Sequence, residues 1–340
     1  MHVLINDFIG GYVTRGIPQF VGSLEIGLAE AGHRVSVVRA PRWFEHLPRP
    51  IAHAVAVAVE QAFVPIYGRA IGAEVVIYPY NSMAALDLRS GRGRIVVHDL
   101  ELLSRAPASL NRLYAEWCYR AIRRRRHPIF TVSDSAKQSL AQCPFFEGSA
   151  IHVLPNAFYG FERSLRTVGP VTTRPRTALL CTGHTPNKEL SRVASSLLPL
   201  ILGRDVSVHV VGLHSAKGRG ELSALREAAE RGRLVIHDRL PDPELARLYA
   251  ESTFVWVHSR SEGFGRPIVE GRLAGRPVIC SDIPPFRALA DRMVRHYTDA
   301  DSFLDAIAWA LEVRAENVPY DGFDYRAEFR AAIERLTCAS

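Results

Sequence analysis

The stretch Ser261-Glu262-Gly263-Phe264-Gly265-Arg266-Pro267-Ile268-Val269-Glu270 sets two carboxylates eight residues apart around a glycine-rich turn. Before it, Phe254-Val255-Trp256-Val257-His258 is a β-branched and aromatic run that reads as a buried strand, and Pro267 stands where a helix takes its first residue. The segment is therefore a strand-to-helix connection. Gly263 and Gly265 allow a sharp turn and bring backbone N–H groups against a ligand, while the helix directs the positive end of its dipole to the same spot.

An anion suits the amides but not Glu262 and Glu270, because an ionised carboxylate only accepts hydrogen bonds and repels a phosphate that touches it. The two carboxylates call for hydroxyl donors. A ligand with a phosphate for the amides and vicinal hydroxyls for the carboxylates is a nucleotide-sugar, with one Glu on the sugar and the other on the ribose. The plainer reading is a glycine turn followed by a helix whose first-turn Glu favours the dipole.

The chain of 340 residues suits two α/β domains, and 47% apolar with 23% charged residues describes a soluble globular protein. Lys137, Lys188 and Lys217 are the only lysines, so arginine carries nearly all the positive charge. A net charge of +7 favours an anionic partner: a nucleotide-sugar, an acidic membrane face or nucleic acid. Cys118, Cys143, Cys181, Cys280 and Cys338 are odd in number and lack Cys-x-x-Cys spacing, which indicates neither a disulfide framework nor a zinc site. With no signal-peptide pattern at Met1 to Asn6, the expectation is a cytoplasmic protein. The longest apolar run, Ile51 to Tyr67, is interrupted by His53, Glu60 and Pro65 and reads as a buried helix, with a surface leaning on lipid as the alternative.

Strand and helix signals alternate twice, which predicts two doubly wound parallel sheets. The first set of strands is Val3 to Asn6, Val35 to Arg39, Val75 to Tyr78, Ile95 to Val97 and Ile129 to Val132. A helix over Gln19 to Ala31, apolar at Phe20, Leu24, Leu28 and Ala31 and stopped by Gly32, completes the first βαβ unit. Thr172 to Arg176 reads as a linker, followed by strands at Ala178 to Cys181, Val206 to Val211, Leu234 to His237, Phe254 to His258, Val278 to Ser281 and Val294 to Tyr297. The expected domains are 1–170 and 176–318. Within residues 319–340 the segment Tyr325 to Leu336 sets Phe329, Ile333 and Leu336 on one face and reads as an amphipathic helix.

The Glu262 to Glu270 string, with Ala274 to Pro284 after it, resembles the Glu-x7-Glu motif of glycosyltransferase family 4. Those enzymes are retaining, have the GT-B fold of two Rossmann-like domains facing across a cleft, and include bacterial mannosyltransferases. The resemblance implies retaining transfer of a hexosyl unit, with mannose as the guess, from a nucleoside diphosphate sugar to a glycan or lipid-linked acceptor in surface-polysaccharide assembly. It implies no cofactor and no metal, and no Asp-x-Asp pattern is present. A cytoplasmic enzyme, peripheral on the inner face of the membrane and without nucleic acid as partner, is the corresponding expectation. The alternatives are a nucleotide-sugar epimerase of the same fold and a basic nucleic-acid-binding protein.

The same resemblance gives candidate roles. Glu262, His98 and Lys188 are the catalytic set; Gly10, Gly11, His184, Lys188, Gly263, Phe264, Gly265 and Glu270 are donor-binding. His98 ends the strand before Asp99, at the carboxyl edge where open α/β sites form. Lys188 fits the family's phosphate loop, but His184 stands near the place of its arginine, leaving Arg266 or Arg260 as the other source of charge. Arg15, Arg120, Arg123 and Arg124 are candidates for acceptor or membrane contact. The last three end a segment, Pro107 to Arg126, whose Leu110, Leu113, Tyr114, Trp117, Cys118, Ala121 and Ile122 form one apolar face. Base-stacking proteins instead set aromatics among the arginines, which argues against nucleic acid. Ser133 or Ser135 is the expected N-cap of the next helix.

Overall fold

The computed structural model describes residues 1–10, 16–100, 103, 110–213, 229–230, 232–238, 240–313 and 320–338. Gly11 and Arg15 lie outside them. The chain divides into two compact units, Met1–Gly160 with Asp324–Ser340, and Phe161–Phe323.

The first unit is built on a six-stranded sheet of order β2-β1-β3-β4-β5-β6, every pairing parallel. Its strands are β1 His2–Asp7, β2 Arg34–Arg39, β3 Val75–Tyr78, β4 Gly93–Val96, β5 Ile129–Thr131 and β6 Ile151–Val153. The first five agree with the sequence reading to within two residues at each end. β6 was not anticipated, because Ile151-His152-Val153 is only half-buried and lacks the fully apolar run of an inner strand.

Helix α1, Gly16–Glu30, buries Phe20, Leu24 and Leu28 on the sheet as expected and stops at Gly32, whose φ of +82° is the left-handed conformation glycine adopts without strain. Ala31, placed on that apolar face, is exposed. Helices α2, Arg49–Ala58, and α3, Val64–Ala70, are joined by a single wide turn, Val59–Phe63, in which Val64 N–H bonds to Val59 O. That turn is where Pro65 enters: proline lacks an N–H and crowds the carbonyl four residues back, and widening the preceding turn lets the helix run on. The same device recurs where Val193–Leu197 widens just before Pro199.

Two expectations about buried helix faces are corrected. The run Ile51 to Tyr67 is helical, yet only 28% of its most apolar window is buried. Helix α4, Leu110–Arg125, buries Ala115, Cys118, Tyr119 and Ile122, whereas Leu110, Leu113 and Trp117 face solvent. Exposure of Trp117 beside the arginines also removes the reason given for discounting nucleic acid. Ser133 is the N-cap of α5, Asp134–Ala141, accepting from Ala136 N–H at 3.0 Å.

The second unit has its own six-stranded parallel sheet of order β12-β11-β10-β7-β8-β9. The strands are β7 Thr177–Cys181, β8 Ser207–Val211, β9 Leu234–Ile236, β10 Phe254–Val257, β11 Val278–Ser281 and β12 Val294–Tyr297, all six where the sequence put them. β7, β10 and β11 are buried throughout, as strands covered by helices on both faces must be. Residues 172–176, read as linker, are tied into this unit: Arg174 N–H bonds to Glu251 O at 2.6 Å and Thr253 Oγ1 to Arg174 O at 2.7 Å. Helices α6, Asp242–Glu251, and α7, Arg266–Leu273, flank β10 in sequence.

The last helix, α8, Tyr325–Cys338, belongs to the first unit. Phe329 lies so close to Gly27 of α1 that a Cβ there would sit 2.3 Å from its ring, and Arg94 donates from Nε to Leu336 O at 3.1 Å.

Glu60, inside the wide turn between α2 and α3, is 7% exposed and accepts from Asn6, Ser82 and Tyr114. Burial pushes its carboxyl up from the ordinary 4.5 to about 7, against the bonds from Tyr114 and Ser82. Between those values the folded chain keeps a proton that the unfolded chain has released, so stability falls as pH rises through the window and stays lower above it. Glu60→Gln removes that slope. Its melting temperature gains more at about pH 8 than at about pH 5, by the equivalent of about 1 to 3 kcal/mol, and a pH series of thermal unfolding checks it.

Candidate functional site

Strand order fixes where each unit can hold a ligand. In the second sheet β7 has β8 on one side and β10 on the other, so the loops leaving β7 and β10 diverge at the carboxyl edge and open a crevice. Those two loops carry His184, Lys188 and the Glu262 string. In the first sheet β1 stands in the same way between β2 and β3.

Glu262 and Lys188 meet across the β7–β10 crevice, with Lys188 Nζ 2.5 Å from Glu262 Oε1 and both side chains under one-fifth exposed. Asn187 joins the two loops. Its side-chain amide donates to Ser261 O at 2.8 Å and more loosely to Ser259 Oγ and Glu262 Oε1, while its backbone carbonyl accepts from Arg260 N–H at 2.7 Å and Ser259 Oγ at 3.0 Å. Ser259 is in turn locked to β11, where Ser281 Oγ accepts Ser259 N–H and donates to Ser259 O. Sequence reasoning missed Asn187, Ser259 and Ser281, whose small polar side chains carry no signal until the strands bring the loops together.

Gly265 is the N-cap of α7 at φ +118°, and a Cβ there would lie 2.8 Å from the Phe286 ring. Only glycine fits both the backbone and the space. The chain thus turns from β10 into α7 with Pro267 in the first turn, as the sequence predicts. Phe264 is buried and meets Phe323 edge-on.

Glu270, one turn into α7, is 4% exposed. Tyr249 at the end of α6 donates to its Oε2 at 2.9 Å, and Arg266 reaches its Oε1 at 3.2 Å. Tyr249 also lies 3.2 Å from Cys181 Sγ, and burial holds its phenol far above the usual range, so it stays a donor. Arg266, offered as a replacement for the missing arginine, is thereby paired to Glu270. Arg260 is exposed. His184 lies between β7 and Lys188, half-buried. Beneath the loops His258 bonds through Nδ1 to Tyr297 OH at 2.7 Å and through Nε2 to Glu189 at 3.1 Å; desolvation lowers its pKa against the pull of that carboxylate.

In the first unit His98 follows β4 at the carboxyl edge, its Nε2 donating to Pro79 O at 3.0 Å and its ring meeting Phe20 edge-on. Its backbone N–H is held by Asn81 Oδ1 at 3.0 Å. Gly10 sits where a Cβ would strike Asp7 Oδ1 at 2.5 Å. Asp7 itself, unremarked in the sequence, accepts from Tyr80 OH at 2.5 Å and faces Arg39 at 3.5 Å; burial raises its pKa against both partners. Arg120 and Arg123 pair with Glu116 at 2.8 Å and Glu147 at 2.5 Å. Among the described residues no group of three or more His, Cys, Asp or Glu side chains is arranged to hold a metal ion.

Residues 176–313 match the family model described as "Glycosyl transferases group 1". Over 137 residues the chain is 26% identical to the serotype-specific mannosyltransferase WbdA of Escherichia coli, a match covering 37% of this chain and 17% of that protein. The chain thus spans about a sixth of the length of the curated relatives it matches. Among solved structures it is similar to sucrose-phosphate synthase from Thermosynechococcus elongatus, with TM-score 0.63 and 15% identity over 100% of this chain and 97% of that one. It is also similar to UDP-GlcNAc 2-epimerase from Methanocaldococcus jannaschii, with TM-score 0.58 and 12% identity over 100% and 99%. The chain is a glycosyltransferase-like protein with the two parallel-sheet α/β domains of the GT-B fold.

Proposed function

We propose that the protein transfers a hexosyl unit, with retention, from a nucleoside diphosphate sugar to a hydroxyl of a glycan or lipid-linked acceptor. In this reading it works in the cytoplasm at the inner face of the membrane. The observation that carries the reading is the meeting of Lys188 and Glu262 at the β7–β10 crevice, beside the start of α7. Without ligand each charge neutralises the other; a donor offers a diphosphate to Lys188 and hydroxyls to Glu262, so both exchange one partner for a better-matched one.

In this reading Lys188, the amides of Gly263 to Gly265 and the start of α7 stabilise the departing diphosphate. Glu262 holds sugar hydroxyls, Glu270 the ribose, and His98 with Gly10 and Gly11 serves the sugar and diphosphate from the first domain. The bond from the anomeric carbon to the diphosphate oxygen breaks with its electron pair on the phosphate. The acceptor oxygen bonds to the same face of that carbon, and its proton passes to the departing phosphate. Mannose as the sugar draws support from the similarity to a mannosyltransferase over 37% of the chain. The domain roles follow: 1–170 for the acceptor, 176–318 for the donor, and 319–340 as the returning helix.

Likeness to an epimerase keeps one other reading in view. Incubation with a nucleotide-sugar and no acceptor separates the two, since an epimerase isomerises the donor and a transferase leaves it or slowly hydrolyses it.

A panel of nucleotides and nucleotide-sugars, read by thermal unfolding, identifies the donor by the rise in melting temperature. With that donor Glu262→Gln lowers turnover at least about a hundredfold while the far-UV spectrum is kept. Wild-type-like turnover in that variant overturns the assignment. Tyr249→Phe removes one bond that holds Glu270 and raises the donor KM about fivefold to tenfold with kcat little changed, which steady-state kinetics with the donor varied will read.

A further inference from the structure

Helices α2 and α3 present an outer face that has no solvent logic. Ala52, Val64, Pro65 and Gly68 turn inward, and Gly68 lies so close to the sheet that a Cβ there would meet Leu4 at 3.2 Å. The opposite side exposes Ile51, Ala54, Ala58, Ala62, Phe63, Ile66 and Tyr67, with Ile66 62% and Phe63 50% exposed. Between Arg49 and Arg69 the only charged residue is Glu60, and it is buried. A solvent-facing helix surface ordinarily carries charges, and this one runs nineteen residues without any outside.

The apolar face continues onto α4. Tyr114 bridges the two elements, donating to Glu60 at 2.6 Å, accepting from Gln61 at 2.5 Å and meeting the His53 ring edge-on. Trp117 stacks on Tyr114 at 6.1 Å, and Leu110, Leu113 and Trp117 are all about half or more exposed. Along α4 this stripe gives way to exposed arginines, Arg120, Arg123, Arg124 and Arg125. Arg124 and Arg125 have no ion pair among the described residues.

We infer that this face is a docking surface for an anionic lipid bilayer, entered by the α2–α3 helix lying flat and flanked by the α4 arginines. The inference deepens the peripheral location proposed above and rests on it for the partner, not on the transfer chemistry. The helix is long enough to span, yet it does not cross: Glu60 at its middle is hydrogen-bonded to β1, to Ser82 and to α4, and its inner side is packed on the sheet. An apolar helix face with aromatic residues and a cationic flank matches the acyl-headgroup boundary of an acidic membrane. A second copy matches it poorly, because an isologous pairing sets the same arginines against one another. Nucleic acid matches the arginines but not the uncharged face.

Co-sedimentation of the full chain with vesicles of phosphatidylglycerol and phosphatidylethanolamine, against vesicles of phosphatidylcholine alone, tests this. Preferential binding to the anionic vesicles is expected. Phe63→Ser with Ile66→Ser, both at exposed positions, weakens it roughly tenfold, and Arg124→Glu with Arg125→Glu weakens it comparably. Stabilisation by the nucleotide-sugar is unchanged in both variants, so loss of docking and failure of the donor reading are told apart. Three results overturn the inference: unaltered vesicle binding by the Phe63, Ile66 variant; no vesicle binding by a dimer that the same variant dissociates; or salt-sensitive binding to single-stranded DNA without vesicle binding.

Discussion

The second unit depends on one topological fact: a parallel strand with neighbours added on both sides must send its own connection one way and its neighbour's the other. β7 is that strand, and its loop and the loop after β10 separate at the carboxyl edge of the sheet. The gap alone does not make a site. Asn187 and Ser259 stitch the diverging loops together through backbone carbonyls, so that Lys188 and Glu262 arrive within ion-pair distance. A loop held by backbone acceptors of its neighbour loses little freedom when a ligand enters, which keeps the ordering cost of binding low.

Beneath that layer the polar groups are paired in a fixed sequence. Trp256 and His258 share the Tyr297 hydroxyl, and His258 reaches Glu189, which holds a left-handed backbone at φ +43° just after Lys188. Tyr249 and Arg266 share Glu270. A buried carboxylate is tolerable only when such donors replace water, and the same donors fix its orientation.

β7, β10 and β11 were legible because they are covered on both faces, so burial leaves a continuous apolar run with β-branched and aromatic residues. The turn into α7 was legible because Gly265 and Pro267 are imposed by the backbone itself. β6 was hidden because half-burial relaxes its composition. Asn187 and Tyr249 were hidden because their roles are tertiary: each acts on a residue more than twenty positions away. The faces of α4 were misassigned for a different reason. Periodicity put Leu110, Leu113, Trp117, Cys118 and Ile122 on one broad face; it does not tell that the core takes only the Cys118 and Ile122 edge of it, together with Ala115 and Tyr119, and leaves the rest to solvent.

The net charge of +7 pointed to an anionic partner without saying where. At the β7–β10 crevice Lys188 is balanced by Glu262 and Arg266 by Glu270, so these pairs contribute little to the excess. In the first unit Arg112 through Arg126 hold six arginines against the single carboxylate of Glu116, and they do so at the end of a stripe of exposed leucine and tryptophan. An excess of one sign beside an uncharged apolar face is a field directed outward, felt over roughly a Debye length of 8 to 10 Å at physiological salt. In the reading proposed here its target is an extended anionic surface rather than a single phosphate, and recognition of the donor lies apart from the source of the basicity.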